Sequence, residues 1–240
     1  MKNSNKLLKM TVLAMLIALG VVISPLLRVE GMCPMAHFIN IVCSVLLGPW
    51  YSLVCALLIG IIRMTTMAIP PIALTGAIFG AFLSGVFYRA SKGNLLLAFL
   101  GEVVGTGIIG AIASYPVMSL LWGKEGLSLL FYVPSFICGT LIGGSIAFAF
   151  LKRLARSGVL AKFQTSLGTV PYEYTENILG DAVAISSLGV ILFVVINLAT
   201  GIFEIAHPAI SIISYTILIA FILSGIVFFL YKSLPTRGAK

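Results

Sequence analysis

Apolar residues run through this chain in long, almost unbroken stretches, separated by short segments that carry charge, glycine or proline. Six stretches reach or approach the length of about 20 residues needed to cross a hydrocarbon core: Leu7–Leu27, Pro71–Tyr88, Leu95–Leu121, Phe131–Leu151, Ile178–Ile202 and Ala209–Tyr231. The pattern predicts an all-α, polytopic membrane helix bundle. The opening Met1–Lys9 followed by an apolar run could pass for a signal peptide. The run is too long for a typical h-region and no clean small-x-small site follows it, so it is expected to be the first transmembrane helix.

The region Ala36–Met64 is long for one span and short for two. Gly48-Pro49 lies at its middle, and proline suits the first turn of a new helix better than an interior. Charge separates the two possibilities. With a hairpin there, the chain has eight spans and both ends on one side. That side holds Lys2, Lys6, Lys9, Arg89, Lys92, Lys152, Arg153, Arg156, Lys162, Lys232, Arg237 and Lys240, twelve of the 15 basic residues. With a single helix only five remain there: Lys2, Lys6, Lys9, Arg63 and Lys124. The positive-inside rule therefore favours the hairpin and puts both termini in the cytoplasm.

A polar stretch beginning with Lys152 and Arg153 reads as a cytoplasmic linker. The expected organisation is a six-span core over 1–155, a linker over 156–177, and a two-span addition over 178–240. No inverted repeat is evident. Composition agrees: the 240 residues are 60% hydrophobic and 9% charged, too few charges to cover a soluble domain. The net charge of +8 is accounted for by topology, and no nucleic-acid motif argues otherwise. The four cysteines, Cys33, Cys43, Cys55 and Cys138, match neither a metal nor a disulfide pattern.

Ionisable groups within spans are costly and call for a reason. Glu102 lies in an apolar span between Gly101 and Gly105, and Gly101-x-x-x-Gly105 admits a close neighbour. Thr106 shares its face, four residues on. Glu102 either accepts a hydrogen bond from a ligand or is a carboxyl paired with donors on other helices. His37 and Asn40, three apart, share a face just beyond the polar connection Arg28–Pro34, and can orient a small heteroaromatic ligand. An interfacial histidine reaching for water is the alternative. Arg63 ends its helix on the outer side, to pair with Glu30 or to meet headgroups. Tyr115 stands beside Pro116, which frees a backbone carbonyl, while Trp122 and Tyr132 fit an aromatic belt. Ala14-x-x-x-Ala18 makes a small-residue groove on the first span. The sequence contains no Walker A loop, nucleophile elbow or zincin motif and no channel filter, so an enzyme is not expected, nor a cofactor.

Taken together, these residues resemble the substrate-binding S components of energy-coupling factor (ECF) transporters, and among them the ThiW type. The likeness rests on Ser24-Pro25, Cys33-Pro34-Met35-Ala36-His37-Phe38-Ile39-Asn40, Val45-Leu46-Leu47-Gly48-Pro49-Trp50-Tyr51, Arg63, Gly76-x-x-x-Gly80-Ala81 with Tyr88-Arg89, and Gly101-Glu102-Val103-Val104-Gly105-Thr106-Gly107 through Tyr115-Pro116-Val117. It spans about the first 150 residues. The resemblance implies a subunit of a bacterial plasma membrane that captures a thiazole-type thiamine precursor, hydroxyethylthiazole, from outside. It implies transfer through a transmembrane T subunit and two ATPases, docked at Ala14 and Ala18, with ligand contacts at His37, Asn40, Glu102, Thr106 and Tyr115. Two departures bear on the ligand. Ala36 stands where the family has glutamine, and Met67–Thr75 replaces a Gly/Thr-rich stretch. The C-terminal pair, with Asp181, Glu204 and His207, lies outside the six-helix unit. The competing expectation is a self-sufficient proton-coupled transporter with Asp181, Glu204 and Glu102 as its proton-linked carboxylates.

Overall fold

Proline and glycine set the helix boundaries of this protein. A computed structural model describes residues 2–26, 28, 32–172, 178–202 and 208–233. Two compact units divide at Tyr174. In the first, α1 (Lys2–Ile23) precedes α2 (Pro34–Leu47), whose first turn begins at Pro34. Gly48, at φ 94°, ends α2, and Pro49 starts α3 (Pro49–Met67). A left-handed backbone followed by a residue that cannot continue a helix makes the break abrupt. This is the hairpin expected from the charge distribution. Then follow α4 (Ile72–Thr75), α5 (Ala77–Ala90), α6 (Leu95–Leu121), α7 (Val133–Arg156) and the short α8 (Val159–Ser166).

Among the described residues, seven helices are long and apolar enough to cross a membrane. With α2 they account for the eight expected spans. At 14 residues α2 is about 21 Å long, short of the ~30 Å hydrocarbon core. It does not need to match the lipid, because α3, α5 and α7 surround it and nearly all its side chains are buried.

The C-terminal end of α2 shows why the first unit runs past residue 155. A helix leaves its last four carbonyls without internal donors. Here the Ser44 carbonyl accepts from the Gly48 N–H at 2.9 Å, and Val45 from Gln164 Nε2 at 2.9 Å. Leu46 accepts from the Thr169 hydroxyl at 3.1 Å, and Leu47 from the Arg89 guanidinium at 3.5 Å. Gln164 also donates to the Tyr88 hydroxyl, 3.1 Å away, and Lys9 donates to the Gly168 carbonyl. Leu160, Gln164 and Leu167 are buried. Residues 157–172, within the stretch expected to be a cytoplasmic linker, are thus a strap closing one end of the helix bundle.

In the second unit α9 (Ile178–Ile202) and α10 (Pro208–Ser233) form an antiparallel pair. Gly225 lies against Ser186, Gly189 against Phe221, and the rings of Phe193 and Tyr215 are 5.0 Å apart. Glu204 and His207 fall outside the described residues, as does Glu30.

Candidate functional site

Glycine brings α5 and α6 into backbone contact. A Cβ on Gly105 would stand 2.6 Å from both the Gly80 Cα and the Phe79 carbonyl oxygen, and one on Gly101 would stand 2.7 Å from the Leu83 carbonyl. In a bilayer, where apolar burial does not drive helices together, such close approach supplies the cohesion. The same region of α6 opens into wide π-helical turns over Val103–Gly110 and Val117–Leu121. The Ala111 N–H, for instance, reaches back five residues to the Thr106 carbonyl. Wide turns of this kind recur at functional sites.

Between these helices and α2 lies a buried polar cluster. One carboxylate oxygen of Glu102, Oε1, is 2.9 Å from His37 Nδ1, 3.0 Å from Asn40 Nδ2 and 3.1 Å from the Thr106 hydroxyl. Asn40 also donates to the Ala77 carbonyl at 3.3 Å. Glu102 itself is fully buried. A carboxylate oxygen accepts, so the proton of this contact sits on His37 Nδ1, and Nε2 is left as the second ring nitrogen. Hydrogen bonds to a charged group each contribute about 1.5–3 kcal/mol, and three of them offset the burial of the charge. The other oxygen, Oε2, has no hydrogen-bond partner among the described residues and faces Gly80, where a Cβ would come within 2.8 Å of it.

His37 is held from its far side by α7. A Cβ on Gly139 would lie 3.3 Å from Nε2, and one on Gly143 would lie 3.1 Å from the His37 Cβ. The imidazole therefore sits in a slot between Glu102 and a glycine pair.

A small cavity of about 60 Å³, partly open to the surroundings, lies beside this cluster. His37 and Thr106 line it; Asn40 and Glu102 stand behind them. Apolar wall comes from Ile69, Ile72, Ala73 and Phe136, and charge from Arg28 and Arg63. Tyr115 is half-buried farther along α6 and does not line the cavity. Arg63 is 3% exposed, buried in the wall rather than extended towards headgroups. Tyr132 is also buried, against Phe131 and Phe136, whereas Trp122 has the exposure of a belt residue. Ala14 and Ala18 are exposed, since Leu13, Leu16 and Gly20 occupy the inward face of α1. Sequence reasoning missed Gly139 and Gly143, although Gly139-x-x-x-Gly143 repeats the spacing that marked α6.

A family model described as thiamine-precursor transporter protein (ThiW) matches residues 10–157. The chain belongs to the ThiW family. Neither the curated proteins nor the solved structures contain a match to it. ThiW proteins are transporters and not enzymes. This one is a multi-pass membrane protein with the family region spread over α1–α7, and α9 and α10 lie beyond it. Ala36 lines the cavity, and so do Ile69, Ile72 and Ala73 of the Met67–Thr75 stretch.

Proposed function

We propose that this ThiW protein is the substrate-capture subunit of an ATP-driven uptake system in a bacterial cell membrane, with a thiazole-type thiamine precursor such as hydroxyethylthiazole as its ligand. The observation that carries the reading is the cavity walled by His37 and Thr106, whose polar groups are fixed from behind by Glu102 and Asn40. Ligand pockets combine apolar wall with a few oriented polar groups, and this cavity has both. The heteroaromatic ring lies against Ile69, Ile72 and Phe136, and the hydroxyl donates to His37 Nε2. Glu102 and Asn40 are positioning residues. Tyr115 is left out of the contact set.

The cavity lies at the end of α2 opposite the strap. With both termini cytoplasmic, as the basic residues favour, the cavity faces outside and the strap faces the cytoplasm. Exposed Ala14 and Ala18 leave a shallow track on α1 for a transmembrane T subunit, to which two ATPases supply the driving force.

Equilibrium binding of hydroxyethylthiazole to the detergent-purified protein tests the ligand. Saturable one-site binding, lost in His37→Ala, is expected; no binding would remove the ligand assignment. Reconstitution in liposomes tests the energy source. Uptake that requires partner subunits and ATP is expected. Uptake by the chain alone, abolished when the proton gradient is dissipated, would establish the proton-coupled reading instead.

A further inference from the structure

The cavity contains a charge that the cluster around Glu102 does not use. Arg63 is buried in the wall at the end of α3. Among the described residues it makes no hydrogen bond or ion pair, and its Nε is enclosed without an acceptor. A guanidinium keeps its proton at any accessible pH, so it cannot escape burial by becoming neutral. A buried, unpaired charge is strongly unfavourable, and it persists where a partner completes it. Glu102 is not that partner: its Oε1 is occupied by His37, Asn40 and Thr106, and it forms no ion pair with Arg63. The exposed Arg28 lines the same cavity, and among the described residues no Asp or Glu does.

We infer that the ligand carries an anionic substituent, a phosphate ester or a carboxylate, which docks on Arg63. The inference rests on the reading of this cavity as the ligand pocket. The planar fork of a guanidinium matches the paired oxygens of either group, while the ring of the ligand remains against the apolar wall. The neutral alcohol then satisfies His37 and leaves Arg63 without an acceptor.

The test compares hydroxyethylthiazole, its phosphate monoester and the corresponding thiazole acetic acid on wild-type, Arg63→Gln and Arg63→Lys protein, by equilibrium binding. A second arm measures thermal unfolding with inorganic phosphate against chloride at equal ionic strength. At least one anionic form is expected to bind wild type roughly tenfold or more tightly than the alcohol, as a charge-assisted pair replaces an empty site. Whichever of the two is preferred identifies the group. The preference should largely vanish in Arg63→Gln and persist in part in Arg63→Lys. A ratio of affinities within one preparation does not depend on how much of a variant folds.

If wild type binds the alcohol as tightly as both anions, or if the preference survives in Arg63→Gln, the inference is overturned and the pocket reading stands. If no thiazole binds but phosphate stabilises wild type and not Arg63→Gln, the anion site stands and the thiazole reading falls. If neither thiazoles nor phosphate has an effect, both fall.

Discussion

His37 on α2 and Glu102 on α6 are 65 positions apart in the chain and 2.9 Å apart in space. Their contact joins a helix that lines the cavity to one that packs by glycine against α5, so the orientation of the imidazole is set by helix packing. Changes at the carboxylate therefore report on binding and on the helix bundle together.

Replacing Glu102 with Gln keeps its shape but removes the charge that holds three donors. Affinity for the thiazole ligand should fall about tenfold or more, equivalent to ~1.4 kcal/mol. Glu102→Ala should also lower the unfolding temperature, since buried donors left without an acceptor cost about 1–3 kcal/mol each. Calorimetric titration and thermal unfolding in detergent separate the two effects. Unchanged affinity in Glu102→Gln would take the carboxylate out of the binding machinery.

Gly105→Ala should destabilise the protein by about 1–3 kcal/mol, as expected for an added methyl in a closely packed contact. Its Cβ meets backbone, which cannot rotate away. Gly80→Ala instead presses on the Thr106 hydroxyl and Glu102 Oε2, and should weaken binding more than it lowers stability. Thermal unfolding and ligand titration on both variants check this ordering.

Gln164→Ala removes the donor to the Val45 carbonyl and the Tyr88 hydroxyl at the far end of α2. Stability should drop by about 1–3 kcal/mol with little change in the affinity of the cavity. A large affinity loss, measured by titration, would show that the strap and the cavity are not independent.

Cys33 lines the cavity, and its thiol donates to the Ser24 carbonyl at 3.0 Å. In a variant with Cys43, Cys55 and Cys138 replaced by alanine, a membrane-impermeant maleimide added to intact cells should label Cys33, and saturating ligand should slow the reaction severalfold. Mass spectrometry of the labelled chain measures it. Labelling only after the cells are opened would reverse the proposed orientation.

Much of the site was legible because membrane sequences make polar residues conspicuous. Glu102 stood out against apolar neighbours, the spacing of His37 and Asn40 put them on one face, and Gly48-Pro49 located the hairpin. What escaped was the part that depends on where a helix faces. Tyr115 shares α6 with Glu102 but points elsewhere, and the π-helical turns between them defeat extrapolation by regular helical spacing. Arg63 at a helix end reads as a headgroup contact, and only the fold shows its burial. Leu160, Gln164 and Leu167 follow helical spacing, but the basic start and polar run of the segment made it read as a linker. Gln164 is buried because four carbonyls of α2 needed donors, a demand that no local pattern reveals.

The order of these residues along the chain also bears on how the protein is made. His37 and Asn40 lie in the second helix synthesised, and Glu102 arrives several helices later. A carboxylate entering a membrane alone is disfavoured, but by then both of its distant donors have been translated, and Thr106 follows within one turn. Vectorial synthesis thus presents the charge to a site already half built. A permuted gene encoding α6 before α2 would reverse that sequence of events and leave the nascent carboxylate to wait in lipid for its partners.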